Sequence, residues 1–76
     1  MDPNSAWAEL IEALNSGNFD DGVAIATDLQ AWLNRGGFPP TVIEQLQPAS
    51  QELSAAVGIL QRELALRACA VVLTLG

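Results

Sequence analysis

The chain has 76 residues, half of them hydrophobic, and a formal net charge of −6 from nine acidic residues against three arginines. A chain this short forms one domain and buries only about 60% of the surface its unfolded form exposes, so its stability on its own is marginal. A single cysteine and no histidine exclude an internal disulfide and a structural zinc site.

Of the usual ways to stabilise a small chain, that leaves oligomerisation or docking onto a larger partner. The negative charge repels phosphate, so nucleic acid and anionic membrane surfaces are not expected partners. The acids are scattered along the chain and are read as a solubilising surface. The opening residues carry no basic cluster of a secretory signal. The longest apolar run, Ala68 to Leu73, is six residues, far short of the roughly 20 that span a bilayer. With a lone thiol, these features predict a cytoplasmic protein.

In chain order, Asp2-Pro3 opens a helix, Asp2 as cap and Pro3 at the first helical position, with Ser5 as the competing cap. Trp7, Leu10, Ile11 and Leu14 follow on one face, and Asn15-Ser16-Gly17-Asn18 ends the element. A second helix opens at Phe19-Asp20-Asp21, where acids suit the helix dipole. Its apolar face is Ile25, Ala26, Leu29, Trp32 and Leu33. Gly36-Gly37 supply a left-handed stop, and Pro39-Pro40 prevent continuation.

Ala6-Trp7, the Gly17-Asn18-Phe19-Asp20-Asp21 turn, Ala24 and Ala26 together resemble a single tetratricopeptide-type helical hairpin over residues 6–35. Gly22 stands where that family usually has a small alanine, and no second copy follows. The resemblance implies a two-helix hairpin and not a stacked solenoid.

Thr41-Val42-Ile43-Glu44 has the form of a capping box and predicts a short helix over 41–47, ended by Pro48. Phe38, Val42, Ile43 and Leu46 are expected to cover the Trp-bearing hairpin. A long helix is expected over 49–75, with a strand at 68–75 as the competing reading. Gly58 inside it suggests a close helix crossing.

The long helix is apolar on two sides. Leu53, Val57, Leu60, Leu64, Val71 and Leu75 form one stripe, assigned to the chain's own core. Ile59, Leu66 and Leu73 form a second row, assigned with Cys69 to an interface with another copy.

The fold expected is thus all-α: a helical hairpin over 1–37, a short helix over 41–47 and a long helix over 49–75, in one domain completed by dimerisation. Catalysis is not expected, because no histidine, lysine or tyrosine is present to move protons. No catalytic, metal-binding or cofactor-binding residue is assigned. The acidic grouping Asp20, Asp21 and Asp28 reads as helix N-terminal charge and a solvated face. Asn15, Asn18, Asp20 and Asp21 do not match the spacing of a calcium loop, and Gly36-Gly37 lack the context of a phosphate loop. Cys69 has apolar neighbours and reads as a packed thiol, with cross-linking of two copies as the alternative. The expected function is a non-catalytic protein–protein interaction or assembly module, either a homo-oligomer (a dimer) or one that docks on another protein. The alternative is a regulatory or ligand-binding subunit with an apolar pocket at Trp7, Trp32 and Phe38, beside Leu33. An apolar run this near the last residue is also what the front portion of a longer protein would show.

Overall fold

The computed structural model describes residues 1–45 and 48–75. It contains three helices, α1 (Pro3–Asn15), α2 (Phe19–Asn34) and α3 (Gln51–Leu75), and no strand among the described residues. The all-α reading holds, and residues 68–75 are helical.

Local chemistry sets each end. At the start of α1, the Asp2 carboxylate accepts hydrogen bonds from the amides of Asn4 (3.0 Å) and Ser5 (3.4 Å) and from the Ser5 hydroxyl (3.1 Å). These bonds, that of the Ser5 hydroxyl foremost, hold its pKa below the usual carboxylate range. Both hairpin helices end in the same way. The Gly17 and Gly36 backbones have φ of 74° and 88°, a left-handed conformation that costs glycine little. The following amides reach back five residues, Asn18 to the Ala13 carbonyl (2.8 Å) and Gly37 to the Trp32 carbonyl (3.0 Å), which closes a Schellman motif at each end. Gly36 is therefore the left-handed stop expected from the sequence. α3 starts where the Ser50 hydroxyl accepts from the Leu53 amide (3.2 Å).

α2 is the middle element: α1 packs on one side of it and α3 on the other. The core draws Ala6 and Leu10 from α1, Ala26, Leu29 and Leu33 from α2, and Ala65, Cys69 and Val72 from α3. Large side chains on the hairpin meet mostly small ones on α3, which is how facing layers fill space without voids. The longest dimension of the molecule is 39 Å, close to the ~37 Å of a 25-residue helix at 1.5 Å per residue. α2, with 16 residues, is too short to cover it, and residues 51–56 are all exposed.

The connection from α2 to α3 differs from expectation. Thr41–Gln45 form a bend and a turn but no helix; Leu46 and Gln47, which complete the expected short helix, lie outside the described residues. Three amides of the connection are held by side chains distant in sequence. Thr41 donates to the Asn4 side-chain carbonyl (2.7 Å), and Val42 and Ile43 both donate to Oε1 of Gln61 (2.6 and 2.9 Å). Side chains of α1 and α3 thus satisfy the backbone donors of the connection and fix its path across the hairpin. Beside these tethers Pro40 is fully buried, and Val42 packs against the core. Gln61 is the buried polar side chain of the core, 6% exposed. Its neighbour Arg62 donates to the Leu33 carbonyl at the end of α2 (2.7 Å), a favourable place for a cation.

Candidate interaction face

α3 faces its own chain with Gln61, Ala65, Cys69 and Val72, and this reverses the assignment of its two stripes. The leucine-rich stripe expected to build the core points outward: Leu53, Leu60, Leu64, Val71 and Leu75 are all exposed, with Val57 intermediate. Of the residues expected at an interface, Leu66 and Leu73 are half-buried against the core and Cys69 is fully buried; Ile59 alone is exposed, at 65%. The correction has a physical cause. A helix that packs closely against large side chains presents small residues, so the most hydrophobic stripe of α3 is not the one that fits against Leu29 and Leu33 of α2. Gly58 is a second correction: a Cβ built there meets nothing within 4 Å, so no close crossing explains it.

The exposed stripe runs the length of the helix. Leu53, Val57, Leu60, Leu64, Arg67, Val71 and Thr74 follow one another at alternating steps of four and three residues, the spacing of a coiled-coil seam. At its C-terminal end Arg67, Ala70, Val71, Thr74 and Leu75 surround an open hollow of about 350 Å³, mostly apolar. At its N-terminal end Leu53 stands 54% exposed on the free turns of the helix.

Cys69 is the only thiol, and it is free and buried. Burial pushes its pKa up, which disfavours the reactive thiolate. In the folded chain it is expected to resist a thiol reagent at pH 8 and to react at once in denaturant. Comparable rates in both conditions would contradict the buried placement.

Two of the aromatic residues assigned to a ligand pocket, Trp32 and Phe38, pack on each other. Trp32 donates from Nε1 to the Phe38 carbonyl (2.9 Å), and its ring meets the Phe38 ring edge-on with centroids 5.7 Å apart. The Arg35 guanidinium lies 6.0 Å from the Trp32 ring centroid, within cation–π range. Trp7 packs against the core from α1. Neither tryptophan nor Phe38 lines any of the three open hollows described. Two of these lie along the seam of the hairpin, about 340 and 210 Å³, and share Glu9 and Ile25. Around them stand Asp2, Glu9, Glu12, Asp21 and Asp28, so acids that look scattered in sequence share one side of the folded hairpin. They are not a metal cluster: among the described residues no three acidic or thiol groups are placed to hold an ion. No described helix is long and apolar enough to cross a membrane. No protein-family model, curated protein or solved structure matches the chain, and the resemblance to a tetratricopeptide hairpin stays at the level of two-helix geometry.

Proposed function

We propose that the chain is a non-catalytic assembly module that self-associates through α3. One observation carries this reading: α3 uses its small-residue face for its own core and leaves a leucine-rich seam open to solvent. Exposed apolar side chains aligned along a whole helix are uncommon on a monomer and mark a contact surface. A small chain with a marginal core gains stability from such contact. The lone free thiol suits a reducing compartment, and the module is assigned to the cytoplasm.

Light scattering across a range of concentrations tests this. The native chain is expected at twice its 8.0 kDa mass at high concentration. Leu60→Glu with Leu64→Glu is expected at the single mass with its helical circular dichroism intact, because both positions are exposed. Leu66→Glu with Leu73→Glu is expected to lose helical signal instead, since those side chains pack on the core. A native chain that stays at the single mass throughout overturns the proposal, as does association indifferent to the change at 60 and 64.

A further inference from the structure

We infer that the occupant of the α3 seam is a second copy of the same helix, laid antiparallel, with Leu60 of one copy against Leu64 of the other at the two-fold axis; this rests on the self-association proposed above. Three observations carry it. The first is shape. Arg67, Ala70, Val71 and Thr74 stand at i, i+3, i+4 and i+7 around the C-terminal hollow, the four-residue arrangement that receives a knob from a facing helix. A knob is available on the same chain: Leu53, exposed at the other end of the seam. With Leu60 set against the partner's Leu64, Leu53 falls level with the partner's Val71 and enters that hollow. The two-fold then repeats the contact at the far end, so one arrangement fills both hollows with both knobs.

The second observation is charge. Arg67 is the one charged side chain in the seam from Leu53 to Thr74. In a parallel pair it would face its own copy across the axis. In the antiparallel pair Arg67 is level with the partner's Val57, ten residues along, which separates the two guanidinium groups by about 15 Å at 1.5 Å per residue. That exceeds the roughly 8 Å over which salt leaves exposed charges interacting. Small neighbours, Ala70 and Thr74, leave the long Arg67 side chain room to reach water along the seam. The third is reach. Residues 51–56 are free of the hairpin, so the end of the helix that carries Leu53 can lie along a partner without colliding with its own core.

Cysteine cross-linking tests the orientation. Two chains are made, Leu53→Cys and Val71→Cys, and oxidised separately and mixed; the native Cys69 is buried and does not compete. In the antiparallel pair each introduced cysteine lies about 27 Å from its own counterpart by helix rise, against the ~7 Å limit for disulfide closure. Only the mixture is therefore expected to give covalent dimer, and that dimer contains one chain of each kind. Self-cross-linking of each chain alone, at the level of the mixture, would mean a parallel pair and overturn the inference. No covalent dimer in any sample, with light scattering still at twice the chain mass, would overturn it by placing the contact elsewhere. A single-chain mass for the native protein would instead remove the reading on which the inference rests.

Discussion

Replacing Gln61 by leucine is expected to cost about 2 kcal/mol or more, which for a chain of this size lowers Tm by roughly 10 °C. The argument is about acceptors. Oε1 of Gln61 takes hydrogen bonds from both Val42 and Ile43 amides, and both residues are half-buried. Leucine fills a similar volume and is at home in the core, so packing is nearly kept while two backbone donors lose their partner. A donor left unsatisfied in a partly dry setting costs more than an ordinary hydrogen bond contributes. Gln61→Glu separates the two effects. It keeps an acceptor oxygen at the same reach, so it is expected to retain more stability than leucine at neutral pH despite its added charge. Thermal unfolding of the three chains by circular dichroism gives the order native, glutamate, leucine. A leucine variant as stable as the native chain would mean that the connection is not fastened through Gln61.

The same residue shows what a sequence conveys and what it withholds. Helix ends were legible because their chemistry is local. Asp2-Pro3 caps and starts α1, and Gly36 stops α2, each within a few residues of the bonds it makes. Residues 68–75 were open between helix and strand in the sequence, the lack of a partner strand elsewhere in the chain favouring helix, and they are helical. The connection was not, because its amides are satisfied by Asn4 and Gln61, 37 and 19 residues away, and no local pattern announces such bonds. The stripe reversal on α3 has another origin. Hydrophobicity ranks Leu60 and Leu64 above Ala65 and Cys69, but the space under the hairpin is set by the leucines already there. Burial is decided by fit between facing surfaces, and one surface's sequence does not contain the other's shape. The seam was visible as a period; only the partner face showed which way it turned.

Gly37→Ala is expected to be the most damaging of the glycine substitutions, and its sign is opposite to that at two other positions. A Cβ on Gly37 would fall within the Trp32 indole, against its five-membered ring and Nε1. The indole cannot yield cheaply, because its Nε1 is bonded to the Phe38 carbonyl and its ring is held between Phe38 and Arg35. Moving it gives up that hydrogen bond and the edge contact, which together with the strain of displacement come to about 2–3 kcal/mol. At Gly22 the added methyl would instead meet Leu14, Ala13 and Leu10 at 3.5–4.0 Å, ordinary contact, and at Gly58 it would meet nothing. Both lie inside helices, where alanine is favoured over glycine by about 0.5–1 kcal/mol, so Gly22→Ala and Gly58→Ala are expected to raise Tm. Tryptophan fluorescence adds a readout that stability alone would not give. Gly37→Ala is expected to shift the emission of the folded chain as Trp32 is driven from its place, whereas the changes at 22 and 58 leave it unaltered. If Gly37→Ala kept both the native Tm and the native emission, the indole would not be seated against that backbone. The distinction matters for the assembly reading too: Trp32 is engaged by Phe38 and Arg35 of its own chain, while the leucines of the α3 seam stand exposed among the described residues.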